Sequence, residues 1–149
     1  MTEVSFNAKY RVLVEEGIKA AEEGNTRLAL SLFDQLKSAE ITPLVTSYLA
    51  YCHACEQKNF KKALDLSIKA LQGDRSHPLI YLNLGRIYLA ANLQKKAMQT
   101  FRRGLRCQRH PLLLRQLERV SSRRTIAFPF LQRSNPLNVI IGKIFSKVF

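Results

Sequence analysis

At 149 residues the chain has the length of one domain. No run approaches the roughly 18 apolar residues of a membrane span, and the amino terminus lacks the basic start, apolar core and cleavage site of a secretion signal. The net charge of +13 is lopsided: residues 1–75 balance ten acids against ten bases, whereas residues 76–149 carry fourteen bases and one acid, Glu118.

After a lead-in over residues 1–9, the chain repeats itself. Ala29, Ala63 and Ala97 lie 34 residues apart, and their surroundings recur with them. The first follows Gly24-Asn25, the second Lys58-Asn59 and the third Asn92-Leu93, and Phe33 and Phe101 stand four residues beyond the outer two alanines. A fixed period of this length predicts a stacked array of helix pairs. The boundaries fall at 10–43, 44–77 and 78–111, and three units are about the minimum that buries a continuous core by stacking.

Within the units, Gly17, Ala29, Ala63, Gly85 and Ala97 provide small residues where helices must approach closely. Over 94–107, Ala97, Met98, Phe101, Gly104 and Leu105 make an apolar stripe at helical spacing. Lys95, Arg102, Arg106 and Arg109 fall on the opposite face. Pro43, Pro78 and Pro111 mark helix starts, where proline is tolerated. No segment reads as a strand ladder, so the fold class is all-α.

The repeat resembles the tetratricopeptide family. The third unit carries the resemblance most fully, with Tyr81, Leu84-Gly85, Tyr88, Ala97, Phe101 and Pro111 at the signature positions. The first keeps Gly17, Ala29, Phe33 and Pro43. The second keeps Ala63 but has Tyr51 at the small position and Ser67 at the aromatic one. Ala50 suits the small position better, which points to one extra residue in the loop of the second unit. The resemblance implies a right-handed helix-turn-helix solenoid of three units. It also implies a ligand along the concave face: Arg11, Val14, Ile18, Tyr48, Cys52, Leu82, Asn83, Arg86 and Leu89, with the second-unit positions moving by one if the extra residue is present. Only Asn83 and Arg86 among them resemble the cationic and amide residues of the subclass that grips chaperone tails. A mainly apolar groove suits an apolar helix or an extended peptide.

Residues 112–122 read as a capping helix for the last pair, beginning at Pro111, with Leu113, Leu114, Leu117 and Val120 on one face and Arg115 and Arg119 on the other. Residues 123–136 follow as an extended linker, because Pro129 interrupts Phe128 and Phe130. These aromatics and Leu131 suit packing on the solenoid, its own groove included. The last stretch, 137–149, is an amphipathic helix. Leu137, Ile140, Ile141, Ile144, Phe145 and Val148 share a face, and Lys143 and Lys147 back it without any acid. That is the composition of an interfacial membrane anchor; docking on the solenoid's end or pairing with a second chain are the other readings.

Cys52-His-Ala-Cys55 is the one motif that suggests chemistry. Further zinc ligands would have to come from Cys107 and His110, a repeat away, and no strand precedes the motif as a redox site requires. The pair therefore reads as packing residues. Three cysteines, an odd number without a secretion signal, point to reduced thiols and a cytoplasmic address. Glu15-Glu16 and Glu22-Glu23 read as solvated surface. Without a phosphate loop, a metal helix or a nucleophile elbow, the chain is read as a non-enzymatic scaffold with no cofactor and no metal.

Three function classes remain. The first is an adaptor that takes a protein or peptide in the groove, while Lys95, Arg102, Arg106, Arg109, Arg115 and Arg119 face an anionic partner or the inner membrane surface. The alternative is a nucleic-acid-associated protein using the same cations, although no base-reading aromatics interleave with them. A structural subunit dimerising through the tail is the third possibility.

Overall fold

A computed structural model describes residues 3–37 and 41–124. Among them run seven helices and no strand: α1 (Glu3–Glu22), α2 (Thr26–Phe33), α3 (Pro43–Gln57), α4 (Phe60–Gly73), α5 (Pro78–Ala90), α6 (Gln94–Cys107) and α7 (Pro111–Arg124). Each helix packs on its successor, and α1, α3, α5 and α7 also contact one another in sequence. The odd-numbered helices thus form an inner layer, with α2, α4 and α6 outside it. Residues 3–9 of the lead-in are helical, as part of α1.

The turns inside the pairs hold the 34-residue register. Gly24, Lys58 and Asn92 all take positive φ, at 84°, 53° and 60°. The left-handed conformation reverses the chain just past a helix end. At Lys58 a side chain bears the cost of that conformation that glycine avoids. The next residues, Asn25 and Asn59, then cap the outer helices through Oδ1, which accepts the Leu28 amide at 3.2 Å and the Lys62 amide at 3.1 Å. Leu93 stands at the third such position without a capping side chain. At the inner-helix starts Pro43 and Pro78 occupy the first turn, where no amide partner is lost. His77 Nδ1 accepts the Leu79 amide, and His110 Nδ1 the Leu112 amide, so these two loop histidines serve as capping groups.

Glycine decides how closely the pairs approach. Any Cβ on Gly17 would lie 2.5 Å from Phe33 Cε1, and one on Gly85 would lie 2.6 Å from Phe101 Cδ1. Both phenylalanines are fully buried. The second unit replaces this large-and-small pairing with two modest residues, buried Ala50 and buried Ser67, whose hydroxyl donates to the Ala63 carbonyl at 2.8 Å. Burial on α3 and α5 coincides at an offset of 35 rather than 34: Val45 with Ile80, Tyr48 with Asn83, Ala50 with Gly85, Cys52 with Ile87. The extra residue lies within α3 rather than in the loop, between Ala50 and the turn at Lys58, where α3 runs on to Gln57.

Among the described residues the core is a chain of three apolar clusters. Ala21, Ala29, Phe33, Val45 and Tyr48 centre the first, Ala50, Ala54, Ala63 and Ile87 the middle, and Leu82, Ala97, Phe101 and Leu113 the last. Leu113 and Val120 on α7 cover the α5–α6 pair. The expected linker over 123–136 and the tail anchor (Leu137, Ile140, Ile141, Ile144, Phe145 and Val148) lie outside the described residues, apart from the end of α7.

Candidate functional site

The inner layer presents a strip in which three helices meet through polar side chains. At its centre Arg86 on α5 makes a forked ion pair with Glu22, the last residue of α1: Nη1 donates to Oε1 at 2.8 Å and Nη2 to Oε2 at 2.7 Å. From α3, the Tyr48 hydroxyl donates to the same Oε1 at 2.8 Å. Arg86 also reaches Asn83 Oδ1 at 3.4 Å, and Asn83 Nδ2 donates to Ser47 Oγ at 3.1 Å. The Tyr51 ring lies 5.3 Å from the guanidinium carbon, a cation–π contact.

Burial shapes the electrostatics here. It pushes the Glu22 carboxyl up, but hydrogen bonding and charge from Arg86, with the Tyr48 bond, outweigh it and hold the group below its ordinary value. Arg86 is raised in turn: burial works against its charge, and Glu22 more than compensates. The Tyr51 phenol is pushed up to about 12, mainly by burial. The strip is therefore charged in composition but neutral in effect. Glu22 does not belong to the solvated surface assigned to it from sequence, whereas Glu15, Glu16 and Glu23 are exposed.

Comparison with known proteins agrees with this architecture. Residues 54–117 match the family model of the tetratricopeptide repeat. Residues 54–117 belong to the tetratricopeptide repeat family. No curated protein matches the chain. Tetratricopeptide repeats mediate protein–protein interaction and are typically non-enzymatic scaffolds.

In this helical array the groove residues anticipated from sequence divide into two groups. Tyr48, Cys52, Leu82 and Asn83 are fully buried, so their side chains hold helices together and leave no surface for a ligand. Val14, Ile18, Arg86 and Leu89 are half-buried and Arg11 is exposed. The one-residue offset in the second unit explains part of the division: it turns α3 by about 100° relative to a strict 34-residue register and puts half-buried Tyr51 beside Arg86. Sequence reasoning missed Glu22 and Tyr51. The signal for Tyr51 was the preference for Ala50 at the small position, which moves the inner face to 51.

The basic residues keep an outward position. Lys95, Arg102 and Arg106 on α6, Arg109 in the following loop, and Arg115 and Arg119 on α7 are all exposed. None forms an ion pair among the described residues, where the pairs are Glu22–Arg86 and Arg27–Glu56. The second of these, with Thr26 Oγ1 donating to Glu56 Oε1 at 2.6 Å, ties α2 to α3.

Cys52 packs in the first core cluster with its thiol pushed up to about 12, chiefly by burial. Half-buried Cys55 is raised for the same leading reason. Both are free thiols, protonated and poor nucleophiles. No group of three metal-ligating side chains is found among the described residues, and no helix among them is long and apolar enough to cross a membrane.

Proposed function

We propose that the chain is an adaptor whose concave groove takes an apolar helix or an extended peptide of a partner protein. The observation that carries this reading is the Glu22–Arg86 pair. The inner cation of the strip is already matched by a carboxylate of the same chain, so an acidic ligand gains little there. What remains for a ligand is the apolar and aromatic surface of Val14, Ile18, Tyr51 and Leu89, with Arg11 at the rim. Such a strip supports hydrophobic anchors at helical or extended spacing.

The exposed cations of α6, the following loop and α7, from Lys95 to Arg119, and the amphipathic tail at 137–149 would hold this adaptor against an anionic surface. Polybasic charge and one apolar segment together give reversible membrane attachment. A cytoplasmic protein recruited to the inner membrane leaflet fits these two features, and an acidic protein surface is the other anionic partner they fit.

A panel of helical peptides with apolar faces tests the groove against the full chain. Peptides that bind should lose about tenfold or more in affinity on Tyr51→Ala or Leu89→Glu and be indifferent to Arg115→Glu. Circular dichroism would verify that each variant is folded. Binders that survive both groove substitutions would remove the groove from the proposal.

A further inference from the structure

A second surface lies outside the inner strip. Between α4, the start of α5 and the end of α6 a cleft of about 360 Å³ opens, lined by Ile68, Leu71, Gln72, Arg75, Tyr81 and Arg103. That places it at the small end of the range for ligand sites, about 300–1,000 Å³. Its floor is apolar. Ile68 is 53% exposed, a bulky aliphatic side chain left in water, with Leu71 and the Tyr81 ring beside it.

The rim is cationic and set in place. Arg75 sits in the α4–α5 loop, and its carbonyl accepts the Tyr81 hydroxyl at 2.8 Å and the Cys107 thiol at 3.5 Å, which ties the loop to α5 and α6. Arg103 projects from α6 on the other side. Both are exposed and neither has a carboxylate partner among the described residues. The acid next to Arg75, Asp74, is turned back onto Ser76, accepting from its amide at 2.9 Å and its hydroxyl at 2.7 Å. Asp65, a turn before Ile68, is the acid within α4 itself.

We propose that this cleft docks a short acidic segment of a partner protein, in which a bulky apolar residue is flanked by carboxylates. The apolar residue would cover Ile68, Leu71 and the Tyr81 ring. Arg75 and Arg103 would each take a carboxylate in the forked geometry that guanidinium favours. Charge argues against the chain's own carboxy-terminal segment as occupant, since residues 125–149 hold Arg133, Lys143 and Lys147 and no acid. The phosphates of duplex nucleic acid would reach Arg75 and Arg103 but leave Ile68 and Leu71 in water; single strands and anionic bilayers are the alternatives that the test separates. No residue of the inner strip lines the cleft, so the two surfaces are separate.

Fluorescence anisotropy with the full chain tests it, using a labelled peptide that has two leucines between pairs of glutamates. Companion peptides replace the leucines by serine or the glutamates by glutamine. At about 0.15 M salt, where long-range attraction is screened, only the parent peptide should bind. Arg103→Gln, Arg75→Gln and Ile68→Ser should each weaken it about tenfold, and Arg115→Gln on α7 less than about twofold. These are surface positions, so circular dichroism should be unchanged. Equal loss on Arg115→Gln, equal binding of the serine peptide, or no binding of the parent would overturn the proposal. Arg103-dependent binding of anionic vesicles or single-stranded RNA in place of the peptide would overturn it as well, and assign the cleft to that ligand.

Discussion

Gly85→Ala puts the packing argument to a quantitative test, because two physical effects of opposite sign meet at one atom. Gly85 lies inside α5, where alanine is the better helix former by roughly 1 kcal/mol. The added Cβ would stand 2.6 Å from Cδ1 of Phe101 and 2.7 Å from Cζ, closer than carbon atoms approach without displacement. Phe101 is fully buried against Ala97, Leu82 and Leu113, so its ring has no free space to move into. Overpacking of this kind costs about 1–3 kcal/mol, and the shortness of the contact selects the upper end. The balance is a loss of about 2 kcal/mol, or roughly 4–8 °C in Tm for a chain of this size. Urea unfolding followed by circular dichroism reads it directly. In a Phe101→Val background, where the ring is gone, Gly85→Ala should instead be neutral or stabilising by about the propensity gain. A neutral or stabilising Gly85→Ala in the native background would refute the claim that glycine is present there for close approach. Gly17→Ala should repeat the loss against Phe33, where the contact is 2.5 Å.

Glu22→Gln should destabilise the protein at neutral pH by about 2 kcal/mol, since it leaves the Arg86 charge without its counter-ion. The wild-type Glu22 carboxyl titrates below its ordinary value. Its stabilisation is therefore complete above the unfolded value of about 4.3 and is lost as pH falls through the folded one. Comparing urea midpoints at neutral pH and at about pH 3, the wild type should lose more than the glutamine variant; parallel losses would show that Glu22 is not the linked group. With a thiol-specific reagent, exposed Cys107 should label first, Cys55 later and Cys52 only as the protein unfolds. Labelling of Cys52 at the Cys107 rate would contradict its place in the core. Asn59→Ala removes an outer-helix cap and should cost about 1 kcal/mol by the same urea measurement, whereas an unchanged midpoint would deny the cap a role. Finally, full-length protein should co-sediment with anionic but not neutral vesicles, and a 1–135 truncation should not; retention by the truncation would take the anchor away from residues 137–149.

The repeat was legible in the sequence because each unit builds its turn and closest packing from residues near one another in the chain. Gly24, Lys58 and Asn92 reverse direction at the same phase, Asn25 and Asn59 cap the outer helices α2 and α4, and Gly17 and Gly85 each meet a phenylalanine 16 residues later. Local chemistry of that sort needs no knowledge of the whole fold. The basic surface was legible for a similar reason, since an α6 with its apolar stripe buried leaves its arginines no other side to occupy.

The polar strip and the cleft were decided elsewhere. Glu22 and Arg86 are 64 residues apart, and nothing near either one marks it as the other's partner; read locally, Glu22-Glu23 is a surface pair. The extra residue in the second unit rotated α3 by about 100°, which put Tyr48 and Cys52 in the core and Tyr51 beside Arg86. The cleft needed Ile68, Arg75, Tyr81 and Arg103 from three helices and a loop before its apolar floor and paired cations existed as one surface. The sequence by itself determined the period, the turns and the sign of the charge, which depend on neighbours in the chain. Only the tertiary structure decided which charges neutralise one another and which apolar side chains remain in water, because both depend on distances between residues that stacking alone brings together.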